Sequence, residues 1–200
     1  MLSADAIVQL HDHLTELWHA RPGDSGTPSL EPWPTAVALQ HRANFDLWHI
    51  EDEARAPAAS DTRLAAVKRR VDSTNQLRND LAEELDKALL AWLNERNLPN
   101  GDATLNSESP GLMIDRLSIL ALKIFHTREE AQRKDSAPGH AERNFERLAI
   151  LNEQRADLAH CLDRLWNETL AGTRRFKLYR QLKMYNDPSL NPAIYGGKPA

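Results

Sequence analysis

Residues 75–86 read Asn75-Gln-Leu-Arg78-Asn-Asp80-Leu81-Ala82-Glu83-Glu-Leu85-Asp86, and residues 152–163 read Asn152-Glu-Gln-Arg155-Ala-Asp157-Leu158-Ala159-His160-Cys161-Leu162-Asp163. Seven of these twelve positions are identical at a shift of 77 residues. The same shift, with no gap, sets His49-Ile-Glu51-Asp52-Glu53-Ala54-Arg55 against His126-Thr-Arg-Glu129-Glu130-Ala131-Gln132. A shift held constant over two stretches points to a duplicated helical hairpin. Two such hairpins, each turning at the same end, make an up-down-up-down four-helix bundle with approximate two-fold symmetry along its axis.

Apolar residues at three- and four-residue spacing mark the helices around these blocks. Ile7, Leu10, Leu14 and Leu17 predict an amphipathic first helix over about residues 3–20, with its histidines on the surface. Ala36, Leu39, Ala43, Leu47, Ile50 and Ala54 form one stripe of a second helix, and Val67, Val71, Thr74, Leu81, Leu85, Ala88 and Trp92 one stripe of a third. Ser109-Pro110 reads as an N-cap with proline in the first turn, opening a fourth helix through Met113, Leu117, Leu120, Ile124 and Ala131. A fifth follows Pro138-Gly139. Alternating β-branched or aromatic runs are missing, so the chain reads as all-α. The expected organisation is one domain over residues 1–200. It comprises an accessory helix at 3–20, hairpins at 34–97 and 109–172, and a basic tail at 173–200 docking on the bundle.

Hydrophobic residues make up 41% and charged residues 27% of the 200 positions, and mean hydropathy is -0.59. This is the composition of a soluble globular chain, which excludes disordered, collagenous and membrane-spanning classes. The amino terminus lacks the basic and apolar regions of a signal peptide, so the expected location is the cytoplasm. Cys161 is the single cysteine, which rules out an intramolecular disulfide and a cysteine-based zinc site. Residues 172–200 carry six basic side chains against Asp187 alone, leaving -9 on the remainder of a chain whose net charge is -4. Such a tail can meet its own acidic body, an acidic partner or phosphate, but the body repels a polyanion, which argues against nucleic acid.

The duplication suggests a metal constellation of i, i+3 pairs: His49 with Asp52, Glu83 with Asp86, His126 with Glu129 and His160 with Asp163. Along the hairpin, however, Asp52 and Glu83 differ in level by roughly 27 Å at 1.5 Å per residue, too far for one ion. These carboxylates read instead as a solvated charged face, with Glu51, Asp52, Glu83 and Asp86 the residual metal candidates. Level arithmetic instead gathers Asn75, Arg78 and Asp80 with Asn152, Arg155 and Asp157, close to Asp115, Arg116 and Ser118. Two readings stay open: a salt-bridge network fixing helix register, or a pocket whose arginines grip a carboxylate or phosphate. Lys123, His126 and the line Asn44, Trp48, Glu51, Arg55 would extend that pocket or cap it. Glycine-rich phosphate loops, nucleophile elbows and His-Glu-x-x-His are all missing, and no cofactor is expected.

The stretches from Asn44 to Arg55, Asn75 to Asp80, Asn106 to His126, Lys183 to Pro188 and Leu190 to Pro192 together resemble the bacterial domain-of-unknown-function family 4254. The resemblance spans about residues 36–195 and implies a helical bacterial protein without an assigned reaction. It carries the family pattern onto Glu51, Asp52, Asp72, Asn75, Arg78, Asp80, Glu83, Asp86, Asp115, Arg116, Ser118, Lys123 and His126. The Lys183-Met-Tyr-Asn-Asp motif implies that residues 183–192 dock on the fold. Three functions are compatible with these readings. The leading one is a non-catalytic binding or assembly protein, its partner another protein or a second copy of itself. The second is an enzyme acting on a phosphorylated or otherwise anionic small molecule, with Arg78, Arg116 and Arg155 as grips and Asp80, Asp115 or Asp157 as acid or base. The third is a metal-dependent hydrolase of the all-α type.

Overall fold

A computed structural model describes residues 2–21, 31–57, 59–182 and 189–190. Among them lie five helices, α1 (Ala4–Ala20), α2 (Pro32–Ala54), α3 (Asp61–Asn94), α4 (Pro110–Gln132) and α5 (His140–Leu170). Two short strands, β1 (Thr104–Leu105) and β2 (Arg174–Arg175), pair in parallel with Thr104 beside Arg174. Apart from that pair the described elements are helical. No helix among the described residues is long and apolar enough to cross a membrane. The Lys183–Pro188 motif and the docking expected of residues 183–192 lie outside the described residues, except for Ser189 and Leu190.

The helices start where their side chains satisfy the free N–H groups of the first turn. Ser3 Oγ accepts from the Ala6 N–H and Ser60 Oγ from the Arg63 N–H. Gly139 leads into α5 at φ 76°, a conformation that favours glycine. Ser109 is the N-cap residue of α4, as expected, but its hydroxyl donates across to the Asp86 carboxylate of α3. The Gly111 N–H donates to Asp86 Oδ1 at 2.7 Å, so one buried carboxylate caps α4 from the neighbouring helix. A Cβ on Gly111 would lie 2.3 Å from the Ala82 carbonyl oxygen, so α3 and α4 approach this closely only with glycine there.

Helix α2 packs on α3 and α4 on α5, while α1 lies across α4, α2 and α5. The main core gathers Ile7, Val37, Leu85, Leu89, Leu93, Ile114, Leu117, Leu162, Trp166 and Phe176. A smaller cluster of Leu14, Trp18, Ala38, Phe45 and Leu122 fills the space between α1, α2 and α4.

Two expectations about packing are corrected. The histidines of α1 are not all surface residues: His11 is fully buried and stacks on His41 at 4.5 Å, and His19 is half-buried. They lie on the face carrying Thr15 and Trp18, which packs against α2 and α4. The stripe assigned to α2 holds at Ala43 and Ile50, which are buried, but Leu39 is exposed, and the inner face takes in Gln40, His41 and Asn44 as well. Polar groups on α4 draw that face inward, as described next.

Candidate functional site

Asp115 of α4 lies at the centre of a buried polar chain. Arg78 on α3 donates to both its oxygens, with Nε to Oδ1 at 2.8 Å, while Gln40 and Asn44 of α2 donate to Oδ1 at 2.6 and 2.9 Å. The hydrogen bond to Asp115 pushes the Arg78 guanidinium further up, against the effect of its burial. Asn44 also donates to Ser118 Oγ, which lies 2.7 Å from His41 Nδ1. Thr15 gives its hydroxyl proton to the His11 carbonyl, so it accepts from His41 Nε2–H at 2.9 Å. His41 Nδ1 is therefore the acceptor for the Ser118 hydroxyl. Burial pushes His41 down to about 3, and the ring is neutral. This chain ties α1, α2, α3 and α4 together and is buried except at Arg78, which is partly exposed.

The remaining expected residues are dispersed. Arg155 pairs with both oxygens of Asp12 on α1 at 2.8 and 2.9 Å. Arg116 is exposed and pairs with Glu108 at 2.9 Å. Exposed Asp80 accepts from Gln76, Asn152 donates to the Leu148 carbonyl, and Asn75 is half-buried on α3. The expected convergence of six charges is corrected to one pair, Arg78 with Asp115, joined by Ser118. The reason is helical geometry: residues two apart point about 200° apart, so an inward Arg78 turns Asp80 away, and Asp157 stands likewise to Arg155. Asp157, Lys123 and Arg116 lie along an open groove of about 600 Å³ between α4 and α5. The line Asn44, Trp48, Glu51, Arg55 does border a common cavity of about 230 Å³, with Arg78 in its wall.

Among the residual metal candidates, Arg55 pairs with Glu51 and Asp52. Glu83 accepts from the Gln181 N–H, and Asp86 caps α4. Burial pushes Asp86 up to about 6, against the Ser109 and Gly111 bonds that favour its charge.

A different set of ligands does converge. His19 of α1, His49 of α2 and His126 of α4 each present a ring nitrogen, and these atoms lie within 4.8 Å of one another. The His19 Nδ1–H donates to the Thr15 carbonyl at 2.7 Å, and the His126 Nδ1–H to Glu129 Oε2 at 2.9 Å. Each of these bonds occupies Nδ1 and leaves Nε2 as the ring nitrogen available to an ion. Both Nε2 atoms are buried without a hydrogen-bond partner. A buried imidazole nitrogen with its opposite nitrogen held by a carbonyl or carboxylate is the arrangement of metal-bound histidine. Aromatic walls flank the rings: Phe125 stacks on His19 at 4.2 Å and Trp48 on His126 at 4.9 Å, while Phe45 meets His49 edge-on. Burial, then repulsion from neighbouring histidines, lowers His49. His19 is lowered by burial too, although its bond to the Thr15 carbonyl offsets part of this. Zinc–nitrogen bonds of about 2.0–2.1 Å place tetrahedral ligands about 3.3 Å apart, so small ring rotations close this set around an ion. His19 and His49 also line a cavity of about 480 Å³ between α1, α2 and α3, with Trp18, Arg42, Phe45, Asp46, Glu53 and Arg70.

A family model described as Protein of unknown function (DUF4254) matches residues 34–178. The chain belongs to this family. The DUF4254 match runs from α2 through β2 and includes His49 and His126, whereas His19 lies outside it on α1. No curated protein and no solved structure matches the chain.

His126 was a candidate from sequence, and the alignment paired it with His49. His19 was missed because a histidine on an amphipathic helix counts as polar surface. Its signal was the spacing of His11, Thr15, Trp18 and His19, which places four aromatic or hydroxyl side chains on one face.

Proposed function

We propose that the protein binds a divalent transition-metal ion at His19, His49 and His126 and uses it to activate water for hydrolysis. The observation that carries this reading is the pair of buried, unpartnered Nε2 atoms on His19 and His126, each with its opposite nitrogen held. His19, His49 and His126 would hold such an ion through neutral imidazole donors that bring no charge of their own, and the ion would supply activation of water near neutral pH. The cavity bordered by His19 and His49 gives that water a substrate chamber.

The four long helices are read as an up-down-up-down bundle from a duplicated hairpin. Supporting this, the 77-residue shift relates His49 to His126 and His41 to Ser118, and both pairs meet in the fold. On this reading the duplication sets equivalent positions of α2 and α4 face to face, α1 adds the third ligand, and the Arg78–Asp115 pair locks the register beneath them.

Calorimetric titration of chelator-treated protein with Zn²⁺ tests the metal reading. Wild type should bind one ion per chain, with His49→Ala and His126→Ala weaker by at least tenfold to a hundredfold and unchanged in helical circular dichroism. Equal affinities in wild type and folded variants would overturn it.

A further inference from the structure

We infer that the chamber bordered by His19 and His49 accepts a phosphate monoester and that the protein hydrolyses it, an inference that rests on the metal reading above. Two arginines face this chamber. Arg42 lies over the Trp18 and Phe45 rings at 5.0 and 5.3 Å and pairs with Asp46 at 2.8 Å. Arg70 of α3 reaches across to both oxygens of Glu53 at 2.8 and 3.0 Å. Asp46 and Glu53 stand one helical turn before and after His49, so each arginine is held within a turn of a metal ligand. Arg42 and Arg70 offset Asp46 and Glu53, so a divalent ion, even against the Glu129 carboxylate on His126, leaves the site positive. A positive site suits the anionic phosphate monoester, whereas a neutral carboxylic ester or amide would leave it uncompensated. Guanidinium forks suit tetrahedral oxyanions because each offers two parallel N–H donors. The buried Trp18 and Phe45 give the chamber an aromatic wall for the organic group, and 480 Å³ is ample for a small metabolite.

The step balances without any further reagent. Oxygen of the metal-held water bonds to phosphorus, and the bond from phosphorus to the ester oxygen breaks. The electron pair leaves with that oxygen, which takes one proton from the water. The products are the alcohol and hydrogen phosphate.

The full chain, stripped and reloaded separately with Zn²⁺, Mn²⁺ or Co²⁺, tests this with p-nitrophenyl phosphate, bis-p-nitrophenyl phosphate and p-nitrophenyl acetate, bound metal being measured in the same samples. The expected result is turnover of the monoester, competitive inhibition by inorganic phosphate, and a KM raised about tenfold in Arg70→Gln with kcat little changed. Arg70 is exposed, so this variant does not disturb the core. Turnover of only the diester or the acetate would overturn the inference. So would metal-loaded protein that neither turns over the monoester nor binds inorganic phosphate, a result that leaves the metal site intact. Protein that takes up no metal would instead overturn the metal reading, and this inference with it.

Discussion

The imidazole rings of His49 and His126 stand 5.9 Å apart, centroid to centroid, although 77 residues separate them in the chain. Their meeting requires α2 and α4 to pass each other at this level, and His19 of α1 lies 5.2 and 4.9 Å from the two rings. An ion held here cross-links three helices and fastens α1 to the remainder of the fold. Zn²⁺ at a hundred times its dissociation constant should therefore stabilise the native state by about 2.7 kcal/mol, read as a higher Tm. His19→Ala should abolish that rise, and a rise that persists in this variant would place the ion elsewhere.

The largely buried pair Arg78–Asp115 and the more exposed pair Arg116–Glu108 should differ sharply in worth. Arg78→Met leaves a carboxylate buried with only Gln40 and Asn44 to serve it, a loss of about 3–5 kcal/mol in urea unfolding. Arg116→Met removes a solvent-screened pair and should cost about 1 kcal/mol or less. Similar losses in both variants would contradict the assignment of Arg78–Asp115 as the register lock.

Asp86 is ionised in the unfolded chain above its ordinary carboxylate range, but the folded state holds its proton up to about pH 6. Between about pH 4 and 6 the folded state binds more protons than the unfolded one. The contribution of this group to stability is thus full at the acid end and falls as pH rises through 6. Asp86→Asn, which keeps one oxygen to accept from the Gly111 N–H and turns its amide N–H toward the Ser109 hydroxyl, should flatten that part of the profile. An identical slope in wild type and variant between pH 4 and 6 would refute the attribution.

His41 has the opposite sign. Its folded pKa is depressed to about 3 by burial, and fully buried His11 is lowered as well, by burial first and by His41 next. The unfolded chain takes up these protons near pH 6.5, so their contribution is present above that value and is lost as pH falls, for His41 down to about 3. Over that window His41 alone should subtract up to about 1.4 kcal/mol per pH unit, and His11 acts in the same direction. Urea titrations of wild type and His41→Gln from pH 7 to 4 should diverge accordingly, and parallel curves would count against a buried neutral ring.

The helix framework was legible because its signals are local. Ser109-Pro110 marked the start of α4, and the spacing of Ile7 and Leu14 marked α1. Arg78 and Asp115 were legible as facing charges because unlike charges in an interior must pair. Asp12 was invisible as the partner of Arg155, since level arithmetic compared only the four long helices and left out α1. The same omission hid His19. Periodicity finds Ala43 and Ile50 on the inner face of α2 but not its polar part, where Gln40, His41 and Asn44 are buried by hydrogen bonding to Asp115, Ser118 and Thr15 rather than by apolarity. A polar core follows pairing rules that depend on which helices meet, and hydrophobic spacing carries no record of that.

The most direct measurement is a crystal of the full chain grown with Zn²⁺, with diffraction recorded on both sides of the zinc absorption edge. The three-histidine account expects one anomalous peak among α1, α2 and α4, within about 2.0–2.1 Å of Nε2 of His19, Nε2 of His126 and a ring nitrogen of His49. An ordered structure in which these rings keep their places and the zinc peak lies elsewhere, or is missing, would contradict it.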